Sequence, residues 1–277
     1  ADLEPLMSER TRLVCVHHLS NILGEINPVR EIADFVHARG ARICVDAVAY
    51  APHRAVDVRA FGADYYIFSL YKTYGPHLAM MYGRYDHLLE LDTLYHYFYG
   101  RDRVPGKLEA GNPCYELAYS LTGIVEYLQE LGRRSGAGEG ASPRRCVEAA
   151  FAAITAQENT LVDRLLGWAK GRGDVHVVGA AQNDGGATRI PTISFTVDGW
   201  APGDLSLAID PEHIAIRHGD FHSRRLVEYL GLAETGGVLR VSMVHYNTLE
   251  EVDRLTAALD RVIDGGRKAA QRSASGA

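Results

Sequence analysis

An acid and a lysine each follow a segment that has the composition of a β-strand. Asp46 ends the apolar run Arg42–Asp46, and Lys72 follows the run Asp64–Phe68 in the segment FSLYKTYGPH. The carboxyl ends of parallel strands meet at one edge of a sheet, where open α/β folds bind ligands. A carboxylate and an amine at that edge suit pyridoxal phosphate, since the amine forms a Schiff base with the aldehyde and the carboxylate keeps the pyridine nitrogen protonated. Each residue also has an ordinary interpretation, as a turn residue and as a solvated surface charge.

Other cofactor and metal sites have less support. The chain has neither a GxGxxG motif after a strand nor a GxxxxGK[ST] motif, so the phosphate loops of dinucleotide and Walker-type sites are missing. His218 and His222 could be two metal ligands, but no third ligand is nearby and no metal site is predicted. The four cysteines form no CxxC pair, which argues against a disulfide framework and a zinc site. Cys15 and Cys44 lie in apolar runs and are predicted to be buried thiols.

Composition places the chain among ordinary globular proteins. It has 277 residues, of which 47% are hydrophobic and 23% charged. With 29 Lys and Arg against 35 Asp and Glu, a net charge of −6 and no basic block, it is not expected to bind nucleic acid. No apolar run approaches the roughly 20 residues of a membrane span, and the first residues lack the layout of a signal peptide. We therefore expect no membrane association and a cytoplasmic location.

The first part of the chain is predicted to form an α/β domain. Four runs lack clean alternation and predict strands buried on both faces of a mostly parallel sheet: Leu13–His17, Arg42–Asp46, Asp64–Phe68 and Leu78–Tyr82. Between the first two, NPVREIADFVHARGA predicts a helix with Asn27 as N-cap, Pro28 in the first turn and Gly40 at the end. The first two strands and this helix therefore form a βαβ unit.

The pattern of predicted helices and strands changes near residue 172. Two helices, near Tyr115–Leu131 and Pro143–Lys170, are separated by a Gly- and Ser-rich surface loop. Short strands and helices then alternate: strands Val175–Val178, Thr192–Val197, His213–Arg217 and Val238–Ser242, and helices near Pro202–Ala208, His222–Leu230 and Leu249–Asp264, before a frayed tail. We predict a large α/β domain over residues 1–171 and a small α+β domain over residues 172–277.

Ordered motifs along nearly the whole chain resemble the class V aminotransferases of fold type I, and most of all their cysteine desulfurase-like branch. The motifs are HLSNILGEINP at residues 18–28, VDAVAYAPHRAVDV at 45–58, FSLYKTYGPH at 68–77, EAGNP at 109–113, RHG at 217–219 and RVSMVHYNTLEE at 240–251. That branch also contains epimerases and carbon–sulfur lyases. The resemblance implies a pyridoxal phosphate enzyme, and it implies that the first part of the large domain, with the loop that cradles the phosphate, lies outside this sequence.

The resemblance assigns four residues to the cofactor ring. Lys72 would carry the cofactor aldehyde, and Asp46 would pair with the pyridine nitrogen. Val48 would pack on one ring face. Asn21 would lie near both the ring hydroxyl and the substrate carboxylate.

The resemblance also implies phosphate, partner and substrate contacts. Ser69 and Tyr71 would donate to the phosphate. Asn112 would reach the phosphate from the other subunit of a homodimer with shared active sites. Arg240 would pair with the α-carboxylate of an amino acid substrate, with Arg217 assisting.

Three departures from the family pattern bear on the reaction. Ala49 stands where desulfurases generally have a Gln, Tyr71 replaces the usual His, and His222 stands where sulfur-mobilising desulfurases keep a nucleophilic Cys. Without that thiol, we expect β-elimination from cysteine or a cysteine conjugate, as in a lyase. His222 could act as an acid or base toward the leaving group, or could be a helix cap or a solvated side chain.

Several alternatives stay open. Transamination, epimerisation or decarboxylation would use the same Lys72, and the chain could instead be a non-catalytic fragment or a partner subunit. Five aromatic or histidine side chains could line the substrate pocket or belong to the core: Tyr50, His53, His77, Tyr95 and Phe98.

Overall fold

The chain folds as two compact units. The computed structural model describes residues 3–94, 96–109 and 111–275. Unit 1 comprises Ala1–Leu19 and Asn27–Ala153, and unit 2 comprises Ser20–Ile26 and Ile154–Ala277. This division falls inside a long helix, whereas the domain limit predicted at residues 171 and 172 falls just after that helix.

Unit 1 is built on a four-stranded sheet. Its first elements are β1 Leu13–His17, α1 Val29–His37, β2 Arg42–Asp46, β3 Tyr65–Ser69 and β4 Ala79–Gly83. The strand order is β1-β2-β3-β4. The first three strands are parallel, and β4 pairs antiparallel with β3. The predicted α/β class, the βαβ unit and the mostly parallel sheet are confirmed.

The start of α1 differs from the prediction. Pro28 is the N-cap, and no side-chain hydrogen bond caps the helix. Asn27 instead donates from Nδ2 to the carbonyl of His17 at 2.9 Å, which ties the start of the helix to the end of β1. After α1 ends, Gly40 turns the chain with a φ of +72°, a conformation that favours glycine. The buried face of α1 consists of Val29, Ala33 and Val36.

The prediction that these strands are buried on both faces, and that Cys15 and Cys44 are buried thiols, is wrong. Cys15 is exposed and Cys44 is half-buried, while Ile43 and Val45 on the other face of β2 are buried. Cys15 and Cys44 are register partners on the same sheet face. Alternate residues of a strand point to opposite faces, and in the described part of the chain only one face of β1 and β2 is well covered.

Helices complete unit 1. They are α2 Tyr85–Glu90, α3 Tyr115–Ser120, α4 Thr122–Gly132 and the part of α5 Pro143–Lys170 up to Ala153. The helix predicted over Tyr115–Leu131 is divided at Leu121. Ser120 and Thr122 on either side donate their hydroxyls to carbonyls of the preceding turn, which bends helices. A Cβ on Gly132 would lie 1.9 Å from the carbonyl oxygen of Cys146, so glycine permits α4 to approach α5.

Unit 2 contains a second, antiparallel sheet. Its elements after α5 are β5 Val175–Val178, β6 Thr192–Val197, α6 Pro202–Ile209, β7 Arg217–Gly219, α7 Arg224–Tyr229, β8 Val238–Ser242 and α8 Leu249–Ser275. The strand order is β5-β6-β8-β7. The predicted α+β character is confirmed. Its core is apolar and includes the buried Leu161, Leu165, Ile193, Phe195, Leu205, Ile209 and Leu259.

Three element limits in unit 2 differ from the predictions. The strand expected from His213 begins at Arg217, because His213 is left-handed with a φ of +55°. The helix expected from His222 begins at Arg224, because Phe221 and His222 also have positive φ. Helix α8 continues through the segment expected to fray, where Ala, Lys, Arg and Gln favour helix. In the described ranges no helix is long and apolar enough to cross a membrane.

Candidate active site

Asp46 and Lys72 lie at the same edge of the unit 1 sheet. Asp46 is the last residue of β2 and pairs in register with Ile67 of the parallel neighbour β3. Lys72 ends a short 3-10 turn that directly follows β3. Both side chains are exposed. The carboxylate and the amine therefore follow adjacent parallel strands at the edge where α/β sheets bind ligands.

One oxygen of the Asp46 carboxylate forms a hydrogen bond within the turn that follows β2. Its Oδ1 accepts a hydrogen bond from the backbone N–H of Val48 at 3.0 Å, which places Val48 in the turn directly after the acid. The backbone carbonyl of Asp46 accepts a hydrogen bond from the N–H of His18 at 2.7 Å. No hydrogen bond from the described residues engages Oδ2, so that oxygen is available to a ligand.

A buried aromatic cluster supports the Asp46 turn. The ring of His18 stacks on Tyr50 with centroids 3.6 Å apart, and its Nδ1 lies 2.8 Å from the hydroxyl of Tyr66. His18 is 3% exposed, and burial lowers its pKa to about 4, so the ring is neutral at neutral pH. Burial also raises the pKa of Tyr50. Sequence reasoning assigned His18 no role, and its apolar surroundings in sequence were the available signal for a core histidine.

The predicted pocket residues divide between core and surface. Tyr50 and His53 are buried in unit 1. His77 and Phe98 are exposed. Tyr95 lies outside the described residues.

Within the described ranges, the polar groups of Ser69, Tyr71 and Lys72 have no competing partner. The Nζ of Lys72 lies 5.9 Å from the ring centroid of Tyr71, whose ring stacks on His77 at 5.1 Å. Among the described residues no hydrogen bond engages the Lys72 amine, the Ser69 hydroxyl or the Tyr71 hydroxyl, and no carboxylate pairs with the amine. The residues therefore fit pyridoxal phosphate, which requires a free amine, a carboxylate at the pyridine nitrogen and donors to its phosphate.

Asn112 stands apart from these groups in the chain. It is exposed and follows Gly111, whose φ is +73° and which has open space around it. No hydrogen bond to its amide is formed within the described ranges. Asn112 is therefore accessible at the surface, and its contact with a second subunit stays a prediction.

Unit 2 carries a pair of like charges. Arg217 and Arg240 are directly opposite one another on β7 and β8, an arrangement that destabilises a sheet. Burial first, and then the charge of Arg217, lowers the pKa of Arg240. No carboxylate in the described part of the chain forms an ion pair with either guanidinium. Two adjacent cations without a counter-ion form a candidate anion site.

The Arg240 guanidinium is held in a defined orientation. Its Nη1 donates to the backbone carbonyl of Asn21 at 3.0 Å, and its Cζ lies 3.7 Å from the ring centroid of Phe221. Its Nε is buried and has no hydrogen-bond partner among the described residues. Leaving a buried donor unpaired costs about 1–3 kcal/mol.

Asn21 also engages the loop that contains His222. Its Nδ2 donates to the carbonyl of Phe221 at 2.9 Å, and its Oδ1 accepts from the hydroxyl of Ser223 at 2.7 Å. The backbone N–H of His222 donates to Oδ1 of Asp220, and the His222 side chain is exposed. Sequence reasoning placed Asn21 beside the cofactor ring and missed this use of its amide, because the contact joins residues about 200 positions apart.

Segment Ser20–Ile26 is bound firmly within unit 2. Gly24 has a φ of +69°, and a Cβ there would lie 2.1 Å from the carbonyl oxygen of Thr192. The Ser194 hydroxyl donates to the carbonyl of Ile22 at 2.6 Å, and the buried Arg189 donates from Nη2 to the Thr192 carbonyl at 3.0 Å. These contacts fix Asn21 beside Arg240. The described residues contain no group of three or more His, Cys, Asp or Glu suited to a metal ion.

The chain is similar to known proteins over most of its length. The family model described as Aminotransferase class-V matches residues 1–255. The aminotransferase-like protein FGM3 of Gibberella zeae is 41% identical over 264 residues, which is 94% of this chain and 61% of that relative. The cysteine desulfurase-like protein ustD of Aspergillus flavus is 35% identical over 94% of this chain and 56% of its own length.

A solved structure supports the fold. The apo structure of the cysteine desulfurase from Thermococcus onnurineus NA1 matches with a TM-score of 0.76 and 25% identity, over 92% of this chain and 60% of that one. The chain therefore spans between 56% and 61% of the length of these three proteins. It belongs to the class V aminotransferase family of pyridoxal phosphate-dependent enzymes, in the cysteine desulfurase-like branch.

Proposed function

We propose that this chain is part of a pyridoxal phosphate enzyme that cleaves the carbon–sulfur bond of cysteine or a cysteine conjugate by β-elimination. The observation that carries the proposal is that the amine of Lys72, which has no partner among the described residues, lies at the same sheet edge as the exposed carboxylate of Asp46. A lysine and an acid at one ligand-binding edge serve the aldehyde and the pyridine nitrogen of one cofactor. A non-catalytic scaffold would not need an acid and a lysine together at this edge.

The residues of unit 1 would hold the cofactor. Lys72 would bind its aldehyde carbon, and Asp46 would keep the proton on the pyridine nitrogen. Val48 would pack against the ring, while the free hydroxyls of Ser69 and Tyr71 would donate to the phosphate. When bound, pyridoxal phosphate supplies an electron sink for the bond that breaks at the substrate Cα.

The arginine pair of unit 2 would bind the α-carboxylate of the substrate. A carboxylate neutralises the repulsion between Arg217 and Arg240, and it accepts two hydrogen bonds from a guanidinium fork. Asn21 would hold Arg240 through its backbone carbonyl. This part of the proposal limits the substrates to amino acids with a free α-carboxylate.

The reaction type rests on the loop Asp220–Ser223, which contains no cysteine. A thiolate is the nucleophile that takes sulfur from a substrate, so this loop favours release of sulfide or a free thiol over sulfur transfer. The Lys72 amine, displaced from the cofactor aldehyde by the substrate amine, would take the proton from the substrate Cα as the carbon–sulfur bond breaks. His222 is exposed in this loop and would protonate the departing thiolate. The similarity to proteins named as cysteine desulfurases supports a sulfur-containing amino acid as substrate.

The test of the cofactor assignment is Lys72→Ala in the complete polypeptide. We expect the variant to lose the visible absorption of the lysine-bound cofactor and to release no pyruvate from cysteine or its S-conjugates. Borohydride treatment of the parent should leave the reduced cofactor on the peptide that contains Lys72, identified by mass spectrometry. The control is Lys170→Ala, which removes an exposed lysine at the end of α5.

Two outcomes would contradict this proposal. Reduced cofactor on another lysine, or full activity of Lys72→Ala, would remove the assignment of Lys72. A persulfide that forms on a cysteine of the protein and passes to an added thiol at the rate of turnover would replace elimination with sulfur transfer.

We also propose that the enzyme is a homodimer with shared active sites, in which Asn112 reaches the cofactor phosphate of the second copy. Asn112 is exposed, and the nearby Tyr115 and Tyr119 of α3 expose most of their aromatic surface, as is common for association surfaces. Lys72→Ala and Asn112→Ala are each expected to be impaired. Mixing them should restore activity, because one site of a mixed dimer contains neither change. A monomer with full activity would contradict this model.

A further inference from the structure

The ring of Phe221 forms a platform under the guanidinium of Arg240. The Cζ of Arg240 lies 3.7 Å from the ring centroid, a distance typical of a strong cation–π contact. The ring also packs against the small buried cluster of Ile22, Val227 and Val238. Phe221 is therefore anchored against this small cluster of unit 2 while it contacts the charged group.

The backbone at this point adopts a conformation that bulky residues seldom take. Phe221 and the adjacent His222 have φ values of +51° and +63°, in the left-handed region that favours glycine. Such strain persists where the surroundings hold the chain in place, and it is concentrated at functional sites. Here Asn21 holds both ends of the turn, through the carbonyl of Phe221 and the hydroxyl of Ser223.

Asn21, Phe221 and Arg240 contact one another, and we call this trio the arginine clamp. Asn21 contacts Phe221 through its side chain and Arg240 through its backbone carbonyl. Arg217 repels Arg240 from the opposite strand, and no described carboxylate attracts it. Without a bound anion, the clamp supplies the contacts that orient this long side chain.

We infer that Phe221 is a positioning residue that holds Arg240 ready for the substrate carboxylate and thereby determines the preference for free α-carboxylates over neutral amides. The inference rests on the proposed function, because it assumes that Arg240 binds that carboxylate. A guanidinium that is already oriented loses less conformational freedom when the anion binds. Holding Arg240 in place would therefore increase the affinity for the substrate and the discrimination between charged and neutral ligands.

The test compares Phe221→Leu with Phe221→Tyr in the complete holoenzyme. Leucine keeps apolar bulk but removes the aromatic face, whereas tyrosine retains it. We expect Phe221→Leu to raise the KM for the amino acid about tenfold, equivalent to about 1.4 kcal/mol, while kcat stays close to that of the parent. The ratio of kcat/KM for the free acid to that for the amide should fall by a similar factor. Phe221→Tyr should keep the parental KM and ratio.

A second measurement is independent of turnover. Phenylglyoxal modifies accessible arginines, and peptide mass spectrometry reports the rate at Arg240. We expect faster modification in Phe221→Leu than in the parent, and weaker protection by a simple carboxylate such as acetate. Phe221→Met repeats the test with an unbranched side chain that fits irregular spaces, should the leucine variant lose cofactor absorption or thermal stability.

The outcomes separate this inference from the proposed function. If Arg240→Ala raises KM strongly but the Leu and Met variants keep the parental KM and acid-to-amide ratio, the clamp is overturned and the proposed function stands. If Arg240→Ala leaves KM unchanged, the carboxylate role fails and this inference fails with it. Equal loss in the Tyr and Leu variants would also overturn it, because the aromatic face would then be irrelevant.

Discussion

Replacing Gly24 with alanine tests how segment Ser20–Ile26 is fixed in unit 2. An alanine in the left-handed region costs about 1–2 kcal/mol. Its Cβ would also lie 2.1 Å from the carbonyl oxygen of Thr192, and this backbone oxygen cannot rotate away as a flexible side chain could. The segment must therefore move away from β6.

That movement would break two hydrogen bonds. The N–H of Ile190 donates to the carbonyl of Gly24 at 3.0 Å, and the Ser194 hydroxyl donates to the carbonyl of Ile22 at 2.6 Å. At about 1 kcal/mol for each bond, added to the backbone strain, the expected loss in free energy of unfolding is about 3–4 kcal/mol. Asn21 would move with the segment, so the KM for the amino acid should rise as well.

Gly231→Ala is a matched control in the same unit. Gly231 has a φ of +72°, and a Cβ there would meet no atom within 4 Å, so only the backbone strain of about 1–2 kcal/mol applies. The assay is urea unfolding of the complete protein, with the parent and both variants at one pH. Equal losses in the two variants, or a Gly24→Ala protein as stable as the parent, would refute the argument from close approach.

Three other changes test separate parts of the structure. Asp46→Asn should keep the cofactor but lower turnover by orders of magnitude, because an amide cannot stabilise the protonated ring nitrogen by charge. Cofactor absorption and the rate of turnover check this, and a rate equal to that of the parent would show that Asp46 has only a structural role. The pKa of His18 is lowered from 6.5 to about 4 in the folded protein, so as the pH falls the unfolded chain takes up this proton first. The free energy of unfolding should therefore be full above pH 6.5 and fall by about 3 kcal/mol towards pH 4. The free energy of unfolding of His18→Gln should depend less on pH, and an unchanged pH dependence would contradict the assignment. Arg172→Met should cost about 3 kcal/mol in unfolding free energy, because the 14% exposed Arg172 forms ion pairs with the 6% exposed Asp174 at 2.9 Å and with Asp260 and Asp264, and all three are lost together. A loss below about 1 kcal/mol would place these contacts with ordinary surface ion pairs.

Local patterns in the sequence were sufficient for much of the fold. The limits of β1, β2, β5, β6, β8 and α5 agree with the structure residue by residue, because runs of apolar residues and their end signals act within a few positions. The placement of Asp46 and Lys72 at one edge of the sheet was also predictable. Each follows its own strand, and parallel strands bring their ends to one edge whatever the rest of the chain does.

Contacts between distant residues decided what the sequence could not. The amide of Asn21 binds a loop about 200 positions away, and Arg217 faces Arg240 only because β7 and β8 pair in one particular register. The exposure of Cys15 depends on which face of the sheet is covered, and an apolar run does not encode that. A strand or helix is determined by neighbouring residues, but the partner of a polar side chain is determined by the packing of whole elements. Tertiary structure therefore decided the contacts of Asn21, Phe221 and Arg240 on which the proposed arginine clamp rests.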